Sequence, residues 1–367
     1  MTMVRENIKF TQQNKKEFII ELREKVTNYF ESNQISENGN LNLYIKTAFM
    51  ILLYFSPYFL MLTGIIYSFT GVLFCWILMG VGKAGIGMAV MHDANHKSYS
   101  SVQWINNLMG NTLYLLGGSP VTWRHQHNTM HHGFTNIEGY DEDIDPGALL
   151  RFSPHKPLLK IHRYQHIYAW ILYGLMTLTW VINKDFKQMI RYKRDEVSLS
   201  NRLSTMQLWV LLIVSKLLYF VAFLMIPVII LPFAWYWIII FFLTMHYTSG
   251  FILTVIFQTA HVVPTSNYPI PDENNTLENN WAVHQLFTTS DFAPRSRVFS
   301  WFIGGLNYQV EHHLFPNISH IHYRKLSKLV EDMAKKHKLP YYVQPGFLRA
   351  LWEHGRMLKK LGRVYLI

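Results

Sequence analysis

Four apolar runs interrupt a polar background, at 47–67, 71–91, 207–231 and 233–257. Each is longer than the roughly 18 residues that a bilayer-crossing helix requires. Only short turns separate the members of each pair, so the pattern predicts two helical hairpins that enter a bilayer and return. Two weaker runs, 102–116 and 167–182, are predicted to be helices at the membrane interface. Asn106, Asn107 and Asn111 break the first, and the second is too short to cross. A crossing there would also send the histidine clusters on its two sides to opposite compartments. Ahead of the spans, Phe18, Ile19, Leu22, Val26 and Tyr29 recur at helical spacing and predict an amphipathic helix. No secretory signal is expected, since the first apolar run begins only near Thr47 and lacks a small-residue cleavage site. The expected organisation is a cytosolic segment at 1–45, a membrane domain at 46–345 whose cap is formed by 92–204 and 259–345, and a basic tail at 346–367.

Composition agrees with this pattern. Half of the residues are hydrophobic and 16% are charged, against about 25% charged in soluble domains. Disorder is excluded for most of the chain. The net charge of +11 by itself invites a nucleic-acid partner, but its distribution points elsewhere. Six Lys and Arg fall in 1–45, twelve in 92–204 and thirteen in 259–367, with none in the hairpin turns. Basic residues collect on the cytoplasmic side of membrane proteins. Both termini and both long polar segments are therefore expected in the cytoplasm, facing anionic lipid, with no nucleic-acid partner.

The single cysteine, Cys75, rules out a disulfide, a finger-type zinc site or an iron–sulfur cluster built within the chain. Eighteen histidines mean that a transition metal would rely on imidazole. Lys83 lies inside the second run, within Gly80-Val81-Gly82-Lys83-Ala84-Gly85. That string matches G-x-G-x-x-G, but dinucleotide binding needs a strand before it and a helix opening at it. Small residues for close helix packing account for it better. A charge inside a span is nonetheless a functional suspect.

The histidines cluster. His92-Asp93-Ala94-Asn95-His96 ends the second run, His127-Asn128-Thr129-Met130-His131-His132 follows, and Gln309-Val310-Glu311-His312-His313 comes late; His261 follows the fourth run. Helical residues four apart share a face. His92 then points with His96, His127 points with His131 while His132 flanks them, and Gln309 converges with His312 and His313. Eight imidazoles in four groups on one side of the membrane indicate two metal ions. Ligand type leaves zinc, copper, iron and nickel open. His125, His284, His320 and His322 are candidates to orient the ligands. His155, His162, His166, His337 and His354 read as ordinary surface or interface residues, and His246 as hydrogen-bonded within the bundle.

These strings, HDANH at 92–96, HNTMHH at 127–132 and QVEHHLFP at 309–316, resemble the membrane fatty acyl desaturases, the histidine-box di-iron family. GFTNIEGYDEDID at 133–145, WAVHQLFTTSDFA at 281–293 and PNISHIHY at 316–323 add to the likeness, which covers about 45–345. Gln309 in place of a box-opening histidine is similar to the front-end subgroup, whose members often act between an existing double bond and the carboxyl end. No HPGG haem motif is present, so the chain looks like bacterial stand-alone acyl-CoA or linoleoyl-CoA desaturases. The resemblance implies an all-α integral membrane fold, with four membrane helices beneath a cytosolic helical cap. It implies two iron ions held by His92, His96, His127, His131, His132, His261, His312 and His313, with Gln309 a further candidate. It also implies O2 as co-substrate, an acyl chain on coenzyme A, acyl carrier protein or a lipid, and electrons from a ferredoxin or a b-type cytochrome with its reductase. The bacterial inner membrane is expected rather than the endoplasmic reticulum. The rivals are a di-iron hydroxylase of acyl, alkane or carotenoid chains, a transmembrane haem electron carrier and a metal transporter.

Overall fold

The computed structural model describes residues 8–11 and 15–364. The parts of the expected N-terminal segment and basic tail at 1–7, 12–14 and 365–367 lie outside the described residues. The described residues are mostly helical, with two short parallel strand pairs among them, Lys9–Phe10 with Thr276–Leu277 and Asp291–Phe292 with Val343–Gln344. Four helices are long and apolar enough to cross a membrane: Leu41–Leu62, Phe69–Asn95, Thr205–Ile230 and Trp235–His261. The first begins six residues ahead of the expected run. Asn40 caps it by accepting the amide of Asn42 at 3.0 Å, and Gly64 at φ +74° lies just past its end. Polar Asn42 and Lys46 therefore belong to the helix, and Lys46 is buried. The two weaker runs are broken into short pieces, Gln103–Gly110 and Thr112–Leu115 in one, Gln165–Tyr173 and Met176–Thr179 in the other.

Contacts divide the chain into two compact bodies. One holds residues 40–125 and 170–255. Here the apolar helices Leu41–Leu62 and Phe69–Ala89 pack closely because the second presents small residues. A Cβ on Gly82 would lie 2.6 Å from the backbone nitrogen of Tyr54, and one on Gly80 2.7 Å from the Met245 carbonyl. The G-x-G-x-x-G string is thus a packing surface in mid-helix. The same helix carries Lys83, whose Nζ reaches Tyr219 Oη at 3.0 Å and His246 Nδ1 at 3.1 Å. Thr177 also contacts His246 Nδ1, at 3.0 Å, so His246 is hydrogen-bonded within the bundle as expected. A second buried cation, Lys216, binds Asp185 at 2.5 Å and the carbonyls of Gly117 and Trp180. Lys216 is thus paired with a carboxylate, whereas Lys83 is held by hydrogen bonds to Tyr219 and His246.

The other body gathers the described residues up to Gly39, 126–169 and those from Ile256 onward. Its core forms where the helix Lys16–Asn33 meets Tyr323–Lys336. Phe18, Leu22, Val26 and Phe30, four residues apart, are buried with Leu326, Val330, Met333 and Ala334. That spacing sets one apolar stripe on the first helix. The expected amphipathic helix is therefore a core element of this body. His162 and His354 are corrected from surface to buried residues. His162 Nε2 meets the Ala148 carbonyl at 2.9 Å and His354 Nδ1 the Val262 carbonyl at 2.8 Å.

Candidate metal centre

The second histidine string winds as a π-helix, His125–His131. On an α-helix, a residue five positions on would sit about 140° away around the axis. The wider turn instead bonds the His132 amide to the His127 carbonyl at 3.0 Å. His127 consequently faces both followers, with ring centroids 5.3 Å from His131 and 4.8 Å from His132. His127 thus lies beside His131, with His132 flanking them, and one π-turn presents three imidazoles. Such turns recur at functional sites. His312 and His313 sit on the short helix Gln309–Leu314, and His261 ends Trp235–His261.

Six buried imidazoles gather in this body as two sets of three. In one, His132 Nε2 lies 2.9 Å from His312 Nε2 and 3.3 Å from His127 Nε2. In the other, His131, His261 and His313 each offer a ligand atom within 4.8 Å of the others. The sets adjoin, with the His132 and His313 rings stacked at 4.3 Å. In the other body His92 and His96 pair at 4.8 Å between ring centroids, both edge-on to Trp123.

Hydrogen bonds decide which nitrogens face inward. A carboxylate only accepts, so His131 Nδ1, 3.1 Å from Asp141, carries the proton there. Its Nε2 then holds a lone pair, buried and without a hydrogen bond. His131 also groups with His127 and Asp143; with Nδ1 held by Asp141, its Nε2 can serve only one group. Burial pushes the His131 imidazole down, the charge and hydrogen bond of Asp141 pull it up, and the upward pull wins. His313 Nδ1 lies 2.8 Å from Gln285 Oε1, whose amide nitrogen donates to the His132 carbonyl at 3.1 Å. That orientation makes Nδ1 the donor and turns the His313 Nε2 lone pair inward. Tyr323 Oη lies 3.2 Å from His312 Nδ1. His261 is buried beside Thr288 and the side chain of Gln309. Gln309 approaches His261; its Nε2 donates to the Leu306 carbonyl at 2.9 Å while its buried Oε1 has no hydrogen bond.

Buried lone pairs aimed at one another are costly unless a cation lies between them. The donor set therefore fits transition-metal ions held by nitrogen, with hydrogen-bond partners fixing the rings. Sequence reasoning missed Asp141, Gln285 and Tyr323. All three lie in the strings that flank the boxes, but only the fold shows what they touch. His284 does not join the imidazoles and instead meets the Thr135 carbonyl at 2.8 Å. His125 packs edge-on against Tyr192, and His322 against Phe30.

Carboxylates anchor the third box. Tyr341 Oη lies 2.8 Å from Asp291 and 3.0 Å from Glu311, and Asp291 accepts the Val310 amide at 3.0 Å. One phenol proton can serve only one carboxyl, so the other contact requires a proton on the acid. Burial pushes Asp291 up to about 6, and burial with the neighbouring Asp291 charge pushes Glu311 up as well.

Fold and site together define a helical membrane protein with a buried, imidazole-rich site that could hold metal ions. Residues 67–345 match the family model for fatty acid desaturases. The chain is 34% identical to an sn-1 linoleoyl-lipid 6-desaturase of Arthrospira platensis, over 93% of this chain and 91% of that one. It is 33% identical to a Synechocystis protein of the same description, over 98% of each. An acyl-lipid (8-3)-desaturase of Physcomitrium patens is 32% identical, over 97% of this chain and 74% of the relative. The chain belongs to the fatty acid desaturase family, as its histidine boxes lead one to expect. It is an oxidoreductase acting on fatty acyl chains.

Proposed function

We propose that this desaturase inserts a cis double bond between an existing double bond and the carboxyl end of an acyl chain carried on a membrane lipid. The observation that carries the reaction class is the pair of buried imidazole sets. The end-to-end likeness to relatives described as linoleoyl-lipid 6-desaturases supports the lipid carrier over coenzyme A or acyl carrier protein. The ligand set of this proposal is His92, His96, His127, His131, His132, His261, His312 and His313, with Gln309 a further candidate. Iron bound there would supply an oxidant made from O2, strong enough to break unactivated C–H bonds that no side chain can deprotonate. The protein's own part is orientation and dryness. Asp141, Gln285 and Tyr323 hold His131, His313 and His312, and burial keeps water from the reacting methylenes.

Electrons come in this reading from a ferredoxin or a b-type cytochrome with its reductase. The termini and the segments 92–204 and 259–345 face the cytoplasm of a bacterial inner membrane. The segment 1–45, membrane domain 46–345 and tail 346–367 form one functional unit. The test is to feed linoleate to a host expressing the wild type, His312→Ala or His337→Ala, and to map double bonds in each lipid class by mass spectrometry. A new double bond on the carboxyl side, found in the lipid fraction with wild type and His337→Ala only, is the expected result. A new hydroxyl group would instead make the chain a hydroxylase.

A further inference from the structure

The helix Tyr323–Lys336 begins with a contact to the site and continues with unpaired charge. Tyr323 is buried and meets His312 Nδ1 at 3.2 Å. Arg324, Lys325 and, one turn on, Lys328 are exposed. Among the described residues none of the three forms an ion pair, whereas Lys335 binds Glu331 at 2.7 Å and Lys336 binds Glu21. Helix N-termini favour acidic residues and disfavour cations, and this first turn holds no acid. The three cations are therefore not there to stabilise the helix. The surface also lacks the apolar side chains that seat a helix on lipid: no large apolar residue between Val298 and Val343 is exposed.

We propose that Arg324, Lys325 and Lys328 form the docking surface for an acidic one-electron carrier protein, whose electrons reach the metal centre through Tyr323 and His312. The proposal rests on the desaturase reading above. Each turnover takes one electron from each of two reduced carriers. The substrate –CH2–CH2– unit loses two hydrogens, and O2 with those hydrogens, the two electrons and two solvent protons becomes two waters. The carriers leave oxidised.

The test uses the full-length protein in nanodiscs, reduced [2Fe–2S] ferredoxin as carrier, and uncharged photoreduced deazariboflavin as a small reductant. In a variant carrying Arg324→Glu, Lys325→Glu and Lys328→Glu, KM for ferredoxin should rise about ten-fold or more at low salt, and the gap should close as salt is added. KM for the acyl lipid and turnover with deazariboflavin should stay at wild-type values. Tyr323→Phe, with rates taken per bound iron, should slow turnover at saturating ferredoxin without raising its KM. An unchanged ferredoxin KM in the triple variant overturns the proposal. So does a raised KM for the acyl lipid alone, which would give this surface to the substrate headgroup. Wild type that forms no double bond with either reductant would sink the desaturase reading itself, separately from the docking surface.

Discussion

Exchanging Asp141 for Asn removes a charge and almost no volume, so its effect reports the charge and its hydrogen bonds rather than packing. Asp141 is buried and accepts three of them, from His131 Nδ1 at 3.1 Å, the Asn136 amide at 2.8 Å and the Asp143 amide at 2.9 Å. An asparagine has one acceptor oxygen and turns its NH2 towards at least one of these donors. Losing charge assistance costs about 1–2 kcal/mol, and a buried donor left unpaired costs about 1–3 kcal/mol more. His131 also loses the partner that fixes its Nδ1 proton, so its Nε2 no longer points inward in every molecule. Loss of such a partner typically lowers metal affinity about 10–100-fold. The assay is iron retained per chain during titration with a chelator, alongside desaturation rate. Asp141→Asn should release iron at chelator concentrations one to two decades lower than wild type, on the order of that affinity loss. Superimposable chelator curves would refute the argument that Asp141 orients a ligand.

Gly82→Ala should lower the folded yield and melting temperature in detergent, because its Cβ would lie 2.6 Å from the Tyr54 backbone nitrogen, an overpacking cost of about 1–3 kcal/mol; equal melting would show that the helix pair yields at no cost. Burial pushes His354 down to about 4, against the opposing pull of its bond to the Val262 carbonyl. The folded state therefore favours the neutral ring. Its stabilisation is complete above the unfolded value of about 6.5 and is lost as pH falls towards 4, about 3 kcal/mol in all. Melting temperature should fall over that window, less steeply in His354→Gln; identical slopes would reject the assignment.

The spans, the boxes and the family were legible in the sequence because each rests on local pattern. A bilayer demands a run of apolar residues wherever the helix goes, and a chain with one cysteine and eighteen histidines would ligate a transition metal largely through imidazole. The spacing of Phe18, Leu22 and Val26 likewise announced a helix. It could not announce that the buried face meets Leu326 and Val330, some 300 residues away. The same limit applied at the site. Spacing paired His127 with His131 and set His132 beside them, but only the fold shows the π-turn that puts both followers against the His127 ring. Asp141, Gln285 and Tyr323 were visible as letters without roles, since a hydrogen bond across the fold leaves no periodicity. His354 read as an ordinary surface residue because a lone histidine in a basic helix carries no sign of the carbonyl it will meet. Composition and periodicity marked the membrane spans and the imidazole clusters, and the box strings carried the likeness to the family. Tertiary contacts decided which nitrogens turn inward, because ring orientation is set by partners distant in sequence.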